Sequence, residues 1–258
     1  MTSTGVFDLS GRVAAVIGGT GVLGGAICQG LGMAGAAVAV LGRSEVRGHA
    51  QVSALQANGA RAIFVKVDAT NLADVDAACQ AIESKLGTVE ILVNAPGVNS
   101  STPFFEIGLE EWHSLLDANL TTVFVACQVF ARAMVAGGHG GSIVNISSAS
   151  SGPPLSRVLT YSVAKAGVNN LTQYLANERA PHGIRVNAIA PGFFPAEQNR
   201  ALLSEERLRA IVAHTPAGRL GKPDELVGTV VWLASEAASS FVTGAIIRVD
   251  GGFSAMTI

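Results

Sequence analysis

Seven short apolar runs, separated by segments of helix length, constrain the fold more than any other feature of the sequence. The runs barely alternate in polarity, which is typical of strands whose two faces are both covered by helices. Strands that alternate with helices predict an α/β, Rossmann-type, doubly wound parallel sheet. The predicted strands are 13–17, 37–41, 62–67, 90–93, 142–146, 184–189 and 245–249, and the predicted helices are about 23–34, 45–57, 71–86, 109–136, 161–180 and 223–235.

Composition fits one compact domain over 1–258. Apolar residues make up 49% of the 258 residues and charged residues 14%, and we find no repeat or linker. The net charge is -2 and no basic block is present, so we expect neither a nucleic acid nor a membrane as partner. The segments 95–108, 149–160 and 191–215 are the least regular; each follows a strand, where ligands of such sheets bind.

No charged residue lies between Arg12 and Arg43, a length that would suit a membrane span, but the eight glycines from Gly18 to Gly35 interrupt this stretch and indicate strand, turn, helix and strand. Residues 1–10 lack the basic region of a signal peptide, which favours a cytoplasmic protein. The cysteines, Cys28, Cys79 and Cys127, form no CxxC and have no histidine at metal-ligand spacing. We therefore expect buried thiols and no metal site, with His113, His139, His182 and His214 structural or exposed.

A glycine-rich turn follows the first predicted strand. Residues 19–24 read G-x-G-x-x-G between a strand and a helix, the context that a dinucleotide site requires. Bare backbone lets a pyrophosphate reach the N–H groups at the helix N-terminus. A tight turn without a ligand is the alternative. The predicted contacts in this turn are Gly18, Thr20, Gly21, Val22, Leu23 and Gly24.

The end of the second strand bears on which dinucleotide binds. An NAD site usually has an acidic residue here for the ribose 2′-hydroxyl, but this chain has Gly42 and Arg43. Because an arginine can pair with a 2′-phosphate, the sequence favours NADP(H) over NAD(H), unless Arg43 is merely solvated. Asp68, after the third strand, is a candidate for the adenine or for a helix N-cap. Asn94, after the fourth strand, is expected beneath the cofactor.

Tyr161 and Lys165 lie four residues apart on a predicted helix and therefore share a face. A nearby ammonium, with the charge of an oxidised nicotinamide, would lower the pKa of a phenol from its usual value of about 10. Tyr161 could then act as a general acid or base. Ser148, just after the fifth strand, could donate a hydrogen bond to the same substrate oxygen. The alternative is a structural Tyr-x-x-x-Lys, which is common in helices.

These motifs together resemble the short-chain dehydrogenase/reductase family, in its single-domain branch, over about Phe7 to Phe253. The resemblance implies a catalytic set of Ser148, Tyr161 and Lys165, with Lys165 also on the nicotinamide ribose and Asn119 holding a water in a proton relay. It also implies a homotetramer or homodimer built partly on helices 109–136 and 161–180. The remaining cofactor contacts that it implies are Arg43, Asp68, Ala69, Asn94, Ala95, Gly97, Pro191, Gly192 and Phe194.

The chain departs from the family pattern at four places. Ile17 replaces the usual threonine before the glycine turn, and Val22 replaces the middle glycine. The usual Asn-Asn-Ala-Gly segment is 94–97, Asn-Ala-Pro-Gly, and Ala196 replaces a threonine that often follows the Pro-Gly loop. None of these changes removes the catalytic set. Enoyl reductases are disfavoured, because relatives of that kind space tyrosine and lysine more widely.

The substrate is less constrained. Segments 19–25, 41–43 and 192–200 resemble members that act on sugar acids, such as mannonate/fructuronate and gluconate 5-dehydrogenases. Arg157 and Arg200 could bind a carboxylate, or could be surface arginines. The sequence thus predicts an NAD(P)(H)-dependent oxidoreductase for a small-molecule secondary alcohol or ketone, and among such substrates it favours a sugar acid or polyol. One alternative is a ketoreductase whose apolar pocket is lined by Phe104, Phe105, Phe193 and Phe194; another is a non-catalytic nucleotide sensor, which is expected to lack the tyrosine or the lysine.

Overall fold

A seven-stranded parallel sheet forms the centre of the molecule, in the order β3-β2-β1-β4-β5-β6-β7. The computed structural model describes residues 5–195 and 204–255. The strands are β1 Val13–Ile17, β2 Ala37–Gly42, β3 Ala62–Lys66, β4 Ile91–Asn94, β5 Gly141–Ile146, β6 Ile184–Pro191 and β7 Ile246–Val249. The predicted doubly wound sheet is therefore confirmed, and every predicted strand is present.

Helices cover both faces of the sheet. Within the described ranges they are α1 Val22–Met33, α2 Glu45–Ala57, α3 Leu72–Leu86, α4 Leu109–Leu116, α5 Thr122–Gly137, α6 Leu159–Arg179, α7 Glu205–His214, α8 Val227–Ala234 and α9 Glu236–Ser239. Because successive side chains of a strand point to opposite faces, each strand contributes to two separate cores. Ala15 and Leu92 pack with α3, α5 and α6, whereas Val16 and Val93 pack with α1 and α8.

The helix that the sequence predicts at 109–136 is interrupted in the structure. A π-helical turn, Asp117–Thr121, separates α4 from α5, and the amide of Thr122 donates to the carbonyl of Asp117. The predicted helix 223–235 begins with a 3₁₀ turn, Pro223–Leu226, before α8. Helix α7 lies in a segment that the sequence predicts to be irregular; Ser204 caps it, accepting from the amide of Arg207 at 3.2 Å.

One helical stretch, Leu109–Gly137, is long and apolar enough to cross a membrane by length and composition. Half of its most apolar window is buried inside the fold, however. Val123, Ala126, Val129 and Phe130 of α5 belong to the core between this helix and the sheet. Its apolar character is therefore explained by packing within the domain.

Candidate active site

A cavity of about 530 Å³ lies at the carboxyl edge of the sheet. Its walls come from the segments that follow β1 to β6, around β1 and β4, where successive connections leave the sheet in opposite directions. Such a point is where ligands of open α/β sheets bind. The predicted residues among those that line it are Gly18, Thr20, Gly21, Val22, Leu23, Gly24, Arg43, Asp68, Ala69, Ala95, Gly97, Ser148, Tyr161, Lys165, Pro191, Gly192 and Phe194.

The glycine turn is needed by the fold itself as well as by any ligand. Gly18 adopts a left-handed conformation with φ of 76°, and a Cβ there would lie 2.5 Å from the carbonyl oxygen of Ala95. A Cβ on Gly24 would collide with the carbonyl of Gly18, so the first turn of α1 could not close onto the strand. At Gly21 the nearest obstacle is 3.3 Å away. Val22 stands where the family usually has the middle glycine of the turn. Gly21, one position earlier, supplies a residue without a side chain at this point.

The N-terminus of α1 faces the cavity without a side-chain cap. Gly21 is the N-cap residue and supplies no side-chain acceptor, while Val22, Leu23 and Gly24 of the first turn line the cavity. The first N–H groups of a helix have no partner within the helix and carry partial positive charge. This bare end, with the space that the glycines leave, fits a pyrophosphate.

Two arginines lie at the end of the cavity beside β2 and β3. Arg43 follows β2, and Arg47 lies in the first turn of α2; both are exposed side chains that line the cavity. Arg43 was predicted from the sequence, whereas Arg47 was not. Ser44 caps α2 between them, its hydroxyl accepting from the Arg47 amide at 3.4 Å. Two guanidinium groups at the same end of the cavity fit an anionic group on the adenosine half of a dinucleotide.

Asp68 lies at the same end of the cavity, two residues after β3 and near Arg43. Its carboxylate accepts from the hydroxyl of Thr70 at 2.8 Å and from the Thr70 amide at 3.1 Å. These hydrogen bonds, aided by the charge of Arg43, hold the pKa of Asp68 below its usual value. Asp68 is not the N-cap of α3, which was one of the two predictions for it; Asn71 caps that helix.

Lys165 is buried beside Tyr161 in α6. Only 1% of Lys165 is exposed, and its ammonium nitrogen donates to the carbonyls of Pro96 at 3.0 Å and Ile146 at 2.9 Å. These carbonyls follow β4 and end β5, so the lysine joins both strands to α6. Its Nζ lies 5.6 Å from the centre of the Tyr161 ring. The two side chains that the sequence placed on one helical face are therefore close in space.

Burial dominates the protonation of this pair. Burial lowers the pKa of Lys165 to about 7, because two neutral carbonyls replace the water around the ammonium. Burial also raises the pKa of Tyr161, and the hydroxyl of Ser148 opposes that change. The four-residue spacing predicted that the lysine would lower the pKa of the phenol. The net direction in the structure is the reverse, since desolvation of the phenolate outweighs the neighbouring groups.

Ser148 follows β5 and faces the cavity. Its hydroxyl oxygen accepts from the amide of Ser150 at 3.1 Å and lies 3.0 Å from the Ser150 hydroxyl. These contacts fix the oxygen at the start of a 3₁₀ turn, Ala149–Ser151. The adjacent Ser147 donates to the carbonyl of Lys165 at 3.3 Å, which ties this strand end to α6.

Two predicted site residues lie behind the cavity wall. Asn119, in the π-helical turn, donates to the carbonyls of Val98 and Leu115, each at 2.8 Å, and accepts from the Val98 amide at 3.1 Å. Asn94 donates to the Asn145 side chain at 2.9 Å and is fully buried. The amide side chains therefore fasten the loop after β4 and join strands beneath the site, and neither lines the cavity.

The other end of the cavity carries Phe193 and Phe194 after β6, and two arginines, Arg157 and Arg207. Phe104 and Phe105 do not line it; they are 69% and 97% exposed. The prediction that four phenylalanines line the pocket is therefore wrong for these two residues. Arg207, on α7, was missed because the sequence predicts no helix there. Arg200, a predicted carboxylate ligand, and Ala196, which replaces a threonine of the family pattern, lie outside the described residues.

Cysteines and histidines take no part in this site. Cys28, Cys79 and Cys127 are buried free thiols, and burial raises the pKa of each. Over residues 5–195 and 204–255, no group of three histidine, cysteine or acidic side chains could hold a metal ion. His214 instead packs on Phe253, with ring centres 4.6 Å apart.

Comparisons with known proteins show which family and which relatives this chain is similar to. Residues 20–254 match the family model described as enoyl-(acyl carrier protein) reductase. The chain is 35% identical over 248 residues to 5-keto-D-gluconate 5-reductase of Escherichia coli K12 (96% of this chain, 97% of that protein). It is 36% identical over 253 residues to gluconate 5-dehydrogenase of Gluconobacter oxydans (98% of each). Gluconate 5-dehydrogenase of Burkholderia cenocepacia, solved with NADP and tartrate, superposes with a TM-score of 0.94 at 35% identity (99% of this chain, 100% of that chain).

Proposed function

This chain belongs to the short-chain dehydrogenase/reductase family, and from that premise we propose that it interconverts a secondary alcohol and a ketone of a small sugar acid with NADP(H). The observation that carries the proposal is the meeting of Ser148, Tyr161 and Lys165 at a cavity that also has a bare helix N-terminus. The non-catalytic sensor has no support in this arrangement, because the tyrosine and the lysine are both in place.

NADP(H) supplies the hydride chemistry when it is bound. Tyr161 exchanges the proton at the substrate oxygen, as a general acid in the reducing direction and a general base in the oxidising direction. Ser148 donates a hydrogen bond to the same oxygen and holds it near the phenol. Lys165 lies one helical turn after Tyr161 with its ammonium held by two carbonyls, where it can stabilise the phenolate and bind the ribose. Asn119 acts on this set by holding the loop after β4 in place.

Arg43 and Arg47 support NADP(H) over NAD(H). Both line the end of the cavity beyond β2, where an NAD site would have a carboxylate for the ribose 2′-hydroxyl. A 2′-phosphate carries the negative charge that two guanidinium groups favour. The same preference is supported by a relative solved with NADP.

A sugar acid is the substrate class best supported. The named relatives act on gluconate or 5-ketogluconate, and one was solved with tartrate, a hydroxylated dicarboxylate. The apolar-ketone alternative rests on Phe193 and Phe194 alone, since Phe104 and Phe105 lie away from the cavity.

The test is turnover of a substrate panel, followed by the absorbance of reduced nicotinamide. We expect NADP⁺ to be reduced with gluconate faster than with sorbitol or with cyclohexanol, and NAD⁺ to be used less well. Faster turnover of cyclohexanol would support the apolar alternative. Cofactor binding without turnover of any alcohol or ketone would refute the enzymatic proposal and favour a sensor.

We further propose that copies of this chain associate through exposed apolar side chains. Large apolar side chains on α4, α5 and α6 remain exposed in the single chain: Leu109 is 74% exposed, Phe124 48%, Val163 40% and Tyr174 63%. These faces fit an interface between copies, in a homotetramer or homodimer. We also propose a cytoplasmic protein that binds neither nucleic acid nor a membrane, which the near-neutral charge supports.

A further inference from the structure

The charges around the cavity are distributed unequally between its two ends. The charged residues that line it in the described parts of the chain are Arg43, Arg47, Asp68, Arg157, Lys165 and Arg207. Asp68 is the one carboxylate among them, and it lies at the β3 end with Arg43 nearby. Arg157 and Arg207 belong to the segments around Tyr161, and that end has no acidic lining residue among those described.

The backbone at Arg157 is unusual in a way that affects this end. Arg157 has a φ of 67° and is the one described non-glycine residue with a left-handed conformation. Such a conformation costs free energy in a residue with a Cβ, and it persists where the surrounding structure holds it. It places a long cationic side chain at the cavity, two residues before α6 begins.

Arg207 holds the residue that precedes Arg157. One terminal nitrogen of the Arg207 guanidinium donates to the carbonyl of Ser156 at 2.7 Å, and the other donates to the Ser156 hydroxyl at 3.2 Å. These bonds tie α7 to the loop that leads into α6. A guanidinium has five N–H donors, so Arg207 keeps donors for a ligand after both contacts with Ser156 are made.

We propose that Arg157 and Arg207 bind the carboxylate of the substrate and set the preference of the enzyme for acids over neutral polyols. The inference rests on the proposed function, because it assumes that the reacting carbon faces Tyr161. A carboxylate matches the guanidinium fork and can accept from two arginines at once. Arg207 has a second role as a positioning residue, since it fixes the loop in which Arg157 stands.

The test compares gluconate with gluconamide, which differ only at C1, where the first has a charged carboxylate and the second a neutral amide. The variants are Arg157→Asn, in which asparagine tolerates the left-handed backbone, and Arg207→Gln. The matched control is Arg209→Gln, on the same helix: Arg209 pairs with Glu205 at 3.1 Å and does not line the cavity. Circular dichroism and the affinity for NADP⁺ show whether each variant is folded.

We expect each cavity variant to raise KM for gluconate by roughly 10- to 100-fold, as loss of a hydrogen-bonded charge pair predicts. KM for gluconamide should change by less than about threefold, since the amide lacks the charge that the pair recognises. Arg209→Gln should leave both values unchanged. Equal losses on the two substrates would overturn the inference and indicate that both residues serve only the structure of the loop.

Failure of the proposed function gives a different result. If the wild type oxidises no sugar acid, the substrate proposal falls, whatever the variants do. Binding of tartrate to the protein loaded with NADP⁺, measured by calorimetry, then tests the two arginines without turnover. Weaker tartrate binding in both cavity variants, but not in Arg209→Gln, supports the carboxylate site; unchanged binding refutes it.

Discussion

Replacement of Lys165 with methionine should make the stability of this protein less dependent on pH, even as activity is lost. The pKa of the lysine falls from 10.5 to about 7 on burial. At about 1.4 kcal/mol for each tenfold change in the proton equilibrium, charging this lysine in the folded state costs roughly 5 kcal/mol. An unfolded lysine stays protonated up to about pH 10.4. The penalty is therefore complete below pH 7 and disappears as the pH approaches 10.4.

The sign follows from proton binding. Between about pH 7 and 10 the unfolded state binds the proton and the folded state does not, so wild-type stability rises with pH through this residue. Lys165→Met lacks that contribution. It also leaves the carbonyls of Pro96 and Ile146 without their donor, at about 1–3 kcal/mol each, but this cost does not vary with pH. Between pH 7.5 and pH 9.5 the free energy of unfolding of the wild type should therefore rise by about 2–3 kcal/mol relative to that of the variant.

Urea unfolding of the cofactor-free proteins at several pH values, followed by circular dichroism, measures this difference. Tyr161 is present in both proteins, so its own titration cancels to a first approximation. Lys85→Met, which changes an exposed lysine, is the control and should follow the wild type at every pH. Parallel stability curves for Lys165→Met and the wild type would refute the argument, because they would show that the lysine keeps an ordinary pKa in the fold.

Three further results are expected. Tyr161→Phe should reduce turnover at least about 100-fold through loss of the proton-transfer group, while NADP⁺ affinity by fluorescence titration stays nearly unchanged; unchanged turnover would exclude the mechanism. Arg43→Ala should lower the affinity for NADPH by about 10-fold or more and change the affinity for NADH little. Equal losses of affinity for the two cofactors in titrations would contradict the contact of Arg43 with the 2′-phosphate. In the native protein Cys28, Cys79 and Cys127 should resist a thiol reagent at pH 8, since burial raises the pKa of each; rapid labelling before urea is added would contradict their burial.

The sheet was predictable from the sequence because strands that helices cover on both faces consist of uninterrupted runs of apolar residues. The runs at 13–17 and 142–146 need only local composition to be recognised, and their positions agree with β1 and β5. The helix boundaries were less accessible. In the π-helical turn at Asp117–Thr121, Asn119 forms hydrogen bonds with Val98 in the loop after β4, 21 residues away in the sequence, and no local pattern signals such contacts.

Residues of the site were predictable where a motif fixes their place. Arg47 lies four residues after Arg43, and the serine cap at Ser44 was a local signal that could have placed it in the first turn of α2. Arg207 had no such signal. Its position at the cavity depends on where α7 packs, and its hydrogen bonds to Ser156 cross 51 residues of sequence.

The protonation of Tyr161 and Lys165 shows most clearly what a spacing in sequence leaves open. Four residues on a helix bring an ammonium close to a phenol, and from this alone the phenol should become more acidic. The fold adds burial, which acts against both charged forms: it raises the pKa of Tyr161 and lowers that of Lys165 to about 7. For the phenol, proximity and desolvation thus have opposite effects on the pKa, and the effect of desolvation is larger. An ion pair of phenolate and ammonium consequently requires further stabilisation at the site, since carbonyl contacts to Lys165 do not offset its burial.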